Sequence, residues 1–433
     1  MRPPLRLSQG GLKRPIAETP ILILGLAGLS MHHGALGAIR SVGRLGVPVF
    51  LAHGSRRAPI DRSRYCCGSL VLAQEHGDTG TLESLLQFGA EHRGAILLAV
   101  DDAGAMFVDD HGGALAEVFL LPHQPSGLAR ALADKREMHR LCLEHDVPTP
   151  DVACPESEAD ALEYAAGAAY PVVVKRIDAS LPMDSPTPNV LLARNREELL
   201  TAYHMMASHQ VPNVMLQEYI PETPQANWMF NGYFDERSRC RLAFTGQKLR
   251  QAPPDAGATT LGVCRPNPLL ARTTERFMQA VGYRGILDAD YRLDPRDGRY
   301  KLLDVNPRIG SSFRLFVADD GMDVLRAMYL DLTEQAPPTR AEPRDGRRWV
   351  VEPQDLQSSL TYLRQGNLTP RRWLGSLRHV DETAWWARDD PGPLFALLAF
   401  LSVSRLRGYV RSARKGIRLR RAYARAASAG ARG

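Results

Sequence analysis

The sequence predicts an α/β protein whose N-terminal domain is built on a parallel sheet. Its opening segment alternates between two kinds of element: Ile21–Leu24 has the pattern of a buried strand, Ala35–Leu45 that of a helix, and Val47–Ala52 that of a second strand. The 433 residues are enough for two or three domains with substantial cores. No apolar run reaches the roughly 18 residues that a membrane-spanning helix needs. We therefore expect a multidomain globular protein.

Positive charge is concentrated at one end of the chain. Residues 404–433 contain ten Lys and Arg and no acidic residue, whereas the whole sequence has 54 basic and 48 acidic residues. The globular part is therefore slightly acidic, and we expect no nucleic-acid partner for it. The six cysteines show no CxxC spacing, which favours a reducing cytoplasmic location.

The first domain is expected at residues 20–130, after a loose leader at residues 1–19. Its Gly-rich loop, Gly25–Ser30, lacks the GxGxxG spacing of a dinucleotide site. The pair Asp101-Asp102 follows a predicted strand, where open α/β sheets bind ligands. The pair can also serve as the cap of the next helix, and we favour the cap.

The most informative stretch, Gly285–Arg308, has the pattern of a β-hairpin around an Asp-Pro-Arg-Asp-Gly turn. With the turn centred near Asp297, side-chain alternation gives the cross-strand pairs Asp290–Asp304 and Asp288–Asn306. Like charges at such positions are destabilising unless a cation neutralises them. Mg²⁺ suits the cluster because it binds carboxylate and amide oxygens and leaves places for phosphate. The alternative is an ordinary hairpin whose acids face solvent.

This stretch also carries a family resemblance. Asp304-Val305-Asn306-Pro307-Arg308 resembles the acid-x-Asn-x-Arg signature of the ATP-grasp superfamily, and Asp290, fourteen residues earlier, matches the other metal-binding acid. The stretch is most similar to the predicted carboxylate–amine ligases of that superfamily. The resemblance implies that Asp290, Asp304 and Asn306 bind Mg²⁺, with Mn²⁺ as an alternative, and that Arg308 contacts phosphate or substrate. One departure is that both acids are Asp, where family members usually have Glu.

Two lysines resemble the nucleotide-phosphate lysines of this superfamily. Lys135 opens an amphipathic helix, and Lys175 ends an apolar strand forty residues later. A buried cation such as Lys175 needs an anionic partner, which a triphosphate supplies. A solvated surface charge is the alternative for Lys135. The following loop, residues 176–189, has three prolines and no glycine, where the family usually has a Gly-rich phosphate loop.

A third motif, Val214–Pro221, resembles the hinge that clamps adenine between the two ATP-grasp subdomains. The resemblance implies backbone contacts from Gln217 and Ile220 and a side-chain contact from Glu218, with Tyr219 in the same segment. A core strand ended by a proline is the alternative.

A fourth motif, Gln247–Pro254, has the Lys-x-Arg and Pro-Pro pattern of the carboxylate–amine ligases. Lys248 and Arg250 are expected to share one strand face and to hold a γ-phosphate or an acid substrate. An exposed basic sheet edge is the alternative.

The resemblance implies an α+β ATP-grasp fold with a defined order of parts. These are a pre-ATP-grasp domain (20–130), a two-subdomain ATP-grasp domain (131–335, with its lid at about 150–220), a mainly helical C-terminal extension (336–403) and a basic tail (404–433).

The implied function is an ATP-dependent ligase that joins a small carboxylate to a small amine through an acylphosphate, releasing ADP and phosphate. Two alternatives are a bicarbonate-using, carboxylase-like enzyme and a non-catalytic ATP-binding regulatory protein.

The basic tail follows an apolar segment, Leu394–Val403. Peripheral contact with an anionic membrane would suit this combination, whereas RNA binding lacks an aromatic-basic platform. We favour a third reading, a buried terminal helix with a solvated tail.

Overall fold

A computed structural model describes residues 18–54, 58–72, 77–177, 190–207, 213–223, 225–254, 257–335 and 342–402. The predicted leader, the loop after Lys175 and the basic tail lie wholly or largely outside these residues. Within them the chain forms three β-sheets. No helix among the described residues has the length and apolar character needed to cross a bilayer.

The N-terminal sheet has five parallel strands, which confirms the predicted βαβ opening. Its strands are β1 (Ile21–Gly25), β2 (Val49–His53), β3 (Cys66–Val71), β4 (Ala95–Ala99) and β5 (Phe119–Leu120), and its helices are α1 (His33–Gly43), α2 (Gly77–Glu91), α3 (Asp102–Leu115) and α4 (Leu128–Ala133). The spatial order is β3-β2-β1-β4-β5. The chain leaves β1 toward one side and later returns to β4 on the other, so the crevice at their carboxyl ends is a topological switch point.

A small antiparallel sheet follows, in the order β6-β9-β7-β8. Its elements are α5 (Lys135–Glu144), β6 (Val152–Ala153), α6 (Glu158–Gly167), β7 (Val172–Arg176), β8 (Val190–Ala193), α7 (Arg196–Met206) and β9 (Val214–Glu218). Helices α6 and α7 pack on the face that carries Val172 and Val174. The other face of β7 carries Val173 and Lys175 because side chains alternate along a strand.

The central sheet has seven strands in the order β14-β13-β10-β11-β12-β15-β16. Its strands are β10 (Asn227–Phe234), β11 (Cys240–Ala252), β12 (Ala258–Cys264), β13 (Gly285–Leu293), β14 (Tyr300–Asn306), β15 (Arg348–Val350) and β16 (Glu382–Thr383). Its helices are α8 (Pro268–Ala280), α9 (Val324–Leu332), α10 (Glu352–Arg364) and α11 (Pro370–Leu377), and residues 392–402 form a further helix. The predicted C-terminal extension is mainly helical, but its strands β15 and β16 extend the central sheet.

One continuous core joins the N-terminal sheet, the central sheet and the C-terminal extension. It runs from Ile23 in β1 through Leu325 in α9 to Trp385 and Leu397, all fully buried. A second core packs α5 and α8 against β10, β13 and β14. The extension is therefore an integral part of the folded body.

A buried arginine fastens the extension to the N-terminal domain. The Arg40 Nε atom lies 2.9 Å from Asp390 Oδ2, and its guanidinium also donates to the carbonyl oxygens of Ala384 and Trp385. The same Asp390 carboxylate accepts from Ser63 Oγ at 2.8 Å. Since these groups are all buried, removal of either charge would leave an uncompensated partner.

Candidate active site

The acid hairpin has the register expected from the sequence. Strands β13 and β14 pair antiparallel, with Asp290 opposite Asp304 and Asp288 opposite Asn306. The core-facing side chains of β13 alternate with these acids, and they include Leu287. The polar side chains therefore emerge on the face that is turned away from the second core.

That face opens into a cleft of about 540 Å³ between the small sheet and the central sheet. Nine of the twelve predicted site residues line it, namely Lys135, Lys175, Gln217, Glu218, Tyr219, Ile220, Lys248, Asp290 and Asp304. These residues come from six separate elements and the segment after β9, so the fold brings together motifs that are far apart in the sequence. Asn306, Arg308 and Arg250 are the three that do not line the cleft.

Two lysines from different elements line the same cleft. Lys175 projects into the cleft from β7, and Lys135 begins α5, whose N-cap is Asp134. Burial and the nearby charge of Lys135 lower the pKa of Lys175 to about 8, although Asp304 opposes the shift. Burial is thus the main reason that the charged form of Lys175 is disfavoured in the cleft.

On the other side of the cleft, carboxylates lie close to one another. Lys248 Nζ lies 2.7 Å from Asp290 Oδ2 and is the closest cation to the hairpin acids. Burial, followed by the charge of Asp290, raises the pKa of Asp288 to about 7. Burial also raises the pKa of Asp304, against the opposing effect of Lys135. The charge of Arg308 acts against the shift at Asp288, as that of Lys175 does at Asp304, so burial is the main cause of both raised pKa values.

The donor set fits a hard divalent cation. Asp290, Asp304 and Asn306 offer carboxylate and amide oxygens on one face of the hairpin. Among the described residues no three His, Cys, Asp or Glu side chains converge into a metal-binding group. An ion here would depend on the Asn306 amide, water and phosphate oxygens to complete its coordination, which is the ligand set that Mg²⁺ accepts.

Arg308 lies beside the acids at the edge of the N-terminal domain. Its Nε atom is 2.6 Å from Asp102 Oδ1, and another of its nitrogens donates to Asn306 Oδ1 at 3.0 Å. Burial alone would lower the pKa of Arg308, but the charges of Asp102 and Asp288 outweigh it and raise the pKa. Arg308 therefore joins the hairpin to the first turn of α3.

The pair Asp101-Asp102 has two roles. Asp101 caps α3, as expected, by accepting from the backbone N–H of Gly104 at 2.7 Å. It also accepts from Ala27 N–H at 2.8 Å, so it ties together the loops that follow β1 and β4. Asp102 and Arg308 are 206 residues apart in the sequence. The position of Asp101-Asp102 after a predicted strand was the only sequence signal for a contact of this kind.

Arg250 does not share a face with Lys248. The pairing of β11 with β12 shifts register between these two residues, so their side chains turn to different sides. Arg250 is buried and contacts Asp355 of α10 through two hydrogen bonds of 2.8 Å, and it donates to Ser376 Oγ at 2.7 Å. The expectation of a two-cation face is corrected: Arg250 fastens the C-terminal extension to β11.

The hinge residues line the cleft, but the Glu218 side chain is held from outside it. Its carboxylate accepts from Lys301 Nζ at 2.9 Å and from Arg296. Burial would raise the pKa of Glu218, but the hydrogen bond from Lys301 and the nearby cations lower it. Sequence reasoning missed Arg292, which lines the cleft and donates to Asn227 Oδ1 at 2.8 Å. Its place on the same strand face as Asp290 was the available signal.

No protein-family model matches the chain. Over 240 residues it is 26% identical to a D-aspartate ligase from Enterococcus faecium. That match spans 53% of this chain and 57% of the ligase, so it covers little more than half of either protein.

Solved structures extend the likeness over a larger part of the chain. An L-amino acid ligase from Bacillus licheniformis matches with a TM-score of 0.55 at 15% identity, over 76% of this chain and 75% of its own. The biotin carboxylase domain of a Hydrogenobacter thermophilus 2-oxoglutarate carboxylase, in complex with MgADP and bicarbonate, matches with a TM-score of 0.57 at 14% identity, over 76% and 73%. These matches confirm the predicted fold. The chain therefore has the ATP-grasp fold.

Proposed function

We propose that this protein is an ATP-dependent carboxylate–amine ligase that works through an acylphosphate. The observation that carries the proposal is the hairpin register, which places Asp290 opposite Asp304 in a cleft that also holds Lys135 and Lys175. Phosphoryl transfer needs this combination of oxygen donors for a metal and cations for phosphate. Similarity to a D-aspartate ligase and an L-amino acid ligase supports a reaction that joins an acid to an amine.

Each group has a distinct role in the proposed reaction. Lys135 and Lys175 bind phosphate oxygens, and Lys248, positioned by Asp290, approaches the transferred phosphoryl group. Asp290, Asp304 and Asn306 would hold Mg²⁺, which would supply positive charge to offset that of the phosphates. The backbone of residues 217–220 contacts the adenine. Because the Glu218 carboxylate is bound by Lys301, we assign it to positioning this segment.

The chemistry has two steps. An oxygen of the substrate carboxylate attacks the γ-phosphorus of ATP, the bond to the β–γ bridging oxygen breaks, and ADP leaves. The amine nitrogen then attacks the acyl carbon, phosphate leaves with the electrons of the acyl–oxygen bond, and the nitrogen loses a proton. We assign Arg308, which lies between the acids and the N-terminal domain, to holding the acid substrate.

Hydroxylamine trapping tests this proposal. The protein is incubated with Mg·ATP, hydroxylamine and pools of small carboxylic acids, and both ADP and acyl hydroxamate are measured. We expect one pool to give both products, and Asp304→Asn to give neither. Asp297→Asn is the matched control, because this acid lies in the turn of the same hairpin and outside the cleft. Binding of Mg·ATP without ADP formation for every pool would favour a non-catalytic regulatory protein.

A bicarbonate-using reaction is the second candidate. It is favoured by the likeness to a biotin carboxylase domain whose structure contains MgADP and bicarbonate. In this reaction bicarbonate is the acid that is phosphorylated. It predicts ADP formation that needs added bicarbonate in degassed buffer and no organic acid, whereas the ligase predicts the reverse.

A further inference from the structure

A second cavity, of about 320 Å³, lies outside the cleft, between the N-terminal domain and the start of β13. Its wall is formed by β4, by α3 and by the segment that follows β5, and we call it the α3 cavity. Of the twelve predicted site residues only Arg308 lines it. The α3 cavity is thus separate from the cleft, but it reaches the arginine that lies beside the hairpin acids.

A glycine on α3 keeps room in this cavity. Ala105, Val108, Asp109 and Gly112 all line it, and their spacing is that of one helical face. A Cβ atom built at Gly112 would meet no neighbouring heavy atom within 4 Å. Glycine inside a helix is less stable than alanine, so close packing within the protein does not explain this residue. We therefore look for a bound molecule that uses the space.

Two arginines supply positive charge to the α3 cavity. Arg308 uses three of its five N–H groups in hydrogen bonds of 2.6–3.2 Å within the protein, which leaves two for a ligand. Arg284 donates through a terminal nitrogen to the carbonyl oxygen of His123 at 2.9 Å, but its buried Nε atom has no hydrogen-bond partner among the described residues. A buried N–H group without a partner is costly, so an acceptor oxygen is expected beside it.

Two acids of α3 also line the cavity. Asp110 lies 2.7 Å from a nitrogen of Arg130, so its charge is already offset. Burial raises the pKa of the Asp109 carboxyl, because the charged form is disfavoured there. An ammonium group on the ligand would offset the charge of Asp109.

We propose that the α3 cavity holds the acid substrate and that this substrate is a short dicarboxylic acid. One carboxylate lies at Arg308, beside the hairpin acids, and is the one that is phosphorylated. The second carboxylate accepts a hydrogen bond from Arg284. A volume of about 320 Å³ is near the lower end of the range for small-molecule sites, about 300–1,000 Å³, so it suits a short acid. The inference rests on the proposed ligase function, because it names the acid that the ligase would use.

Melting curves with matched acids test the proposal without requiring turnover. The native chain is heated, with and without Mg·ADP, in the presence of succinate, glutarate or their 2-amino derivatives. Butyrate is the matched acid, because it has the chain length of succinate and one carboxylate. We expect at least one dicarboxylic acid to raise the melting temperature, and butyrate to raise it less. Arg284→Met should weaken binding of that dicarboxylic acid by about tenfold or more, because a charged hydrogen-bond donor is lost.

Gly112→Leu tests the position of the site. Leucine favours a helix more than glycine does, so the melting temperature of the unliganded chain should not fall. The dicarboxylic acid should bind at least about tenfold more weakly, because the leucine side chain occupies its space. Gly375→Leu is the control: this glycine also lies inside a helix, α11, with no heavy atom within 4 Å of its Cβ position, and it does not line the cavity.

The hydroxylamine assay separates this proposal from the ligase function. With the same acid, Gly112→Leu should raise the KM for the acid at least about tenfold and leave the KM for ATP unchanged, whereas Gly375→Leu should change neither.

Two results would overturn the proposal. The first is a melting curve that no dicarboxylic acid shifts, or a shift that is equal in the native chain and in Gly112→Leu. The second is hydroxamate formation from an acid whose KM is the same in the native chain, Gly112→Leu and Arg284→Met, since the ligase would then bind its acid elsewhere. A dicarboxylic acid that binds through Gly112 and Arg284 but never supports ADP formation would support the binding site and overturn the ligase function.

Discussion

Replacing Lys175 with Met should stabilise the unliganded protein while it abolishes nucleotide binding. The Lys175 side chain projects from β7 into the cleft, where the charge of Lys135 repels it and that of Asp304 attracts it. Burial is the largest cause of its lowered pKa. Because the folded state disfavours the charged ammonium, a side chain of similar length without charge should be tolerated better.

The size of the effect follows from the shift in pKa. A fall from 10.5 to about 8 corresponds to about 3 kcal/mol against the charged form in the folded state. Partial contact with solvent reduces the expected gain to about 1–2 kcal/mol. Lys175 is charged in both states below pH 8, so the whole penalty acts at neutral pH. Between pH 8 and 10.5 the unfolded state binds more protons, and the penalty fades as the pH rises.

Urea unfolding at pH 7.5 and 9.5 measures this effect. We expect Lys175→Met to raise the midpoint at pH 7.5, and the gain to fall by about half at pH 9.5. The same substitution at Lys301 is the control with the opposite sign. Lys301 lies 2.8 Å from Asp294 and 2.9 Å from Glu218, so its loss should destabilise the protein. A Lys175→Met variant that is less stable than the native chain at pH 7.5 would refute the reasoning.

Three further predictions concern Arg250, Lys248 and His33. Arg250→Met should cost about 3–5 kcal/mol of stability in urea unfolding, because it leaves the buried Asp355 carboxylate without its cation, and the added change Asp355→Leu should recover most of the loss. By contrast, Lys248→Met should stop ADP formation and cost less stability than Arg250→Met, because the Lys248–Asp290 pair is less buried than the Arg250–Asp355 pair; equal losses of stability for the two variants would contradict their assignment to different roles. Burial lowers the pKa of His33 to about 3, so the unfolded state alone takes up a proton below pH 6.5. His33→Leu should therefore gain about 1.4 kcal/mol over the native chain as the pH falls from 7.5 to 5.5, and a constant difference would show that His33 does not titrate in this way.

The parts of the site that the sequence predicted depend on local periodicity. The turn near Asp297 and the alternation of side chains fixed which residues oppose Asp290 and Asp288, since a shift of one residue would bury the acids and expose Leu287. The same alternation put Lys175 on the open face of β7. Local patterns of this kind are decided by a strand and its nearest neighbours, so they can be read without knowledge of the rest of the fold.

The parts that the sequence did not predict depend on bulges and on distant contacts. A register shift in β11 separates Lys248 from Arg250, and no residue pattern between them marks it. The pairing of Asp102 with Arg308 joins two domains, and strands β15 and β16 are too short to carry a periodic signal. In each case the position of the residue depends on the part of the fold that it packs against, and a sequence pattern within one segment does not describe that part.

Under the proposed function, the positions of the lysines and the carboxylates in the cleft predict that Mg²⁺ and ATP bind with mutual dependence. ATP without metal would satisfy Lys175 and Lys135 but would bring negative charge toward Asp290 and Asp304. Metal without ATP would neutralise the carboxylates but would leave the lysines without a bound anion. Only the two together offset both imbalances, and linkage requires that each then strengthens binding of the other by the same factor. We therefore expect the rise in melting temperature with Mg·ATP to exceed the sum of the rises with Mg²⁺ alone and with ATP in EDTA. The Asp304→Asn variant lacks one of the carboxylates, so this excess rise in melting temperature should shrink. The Asp297→Asn variant should retain the excess. Simple additivity of the two rises in the native protein would show that Mg²⁺ and ATP bind to the cleft independently.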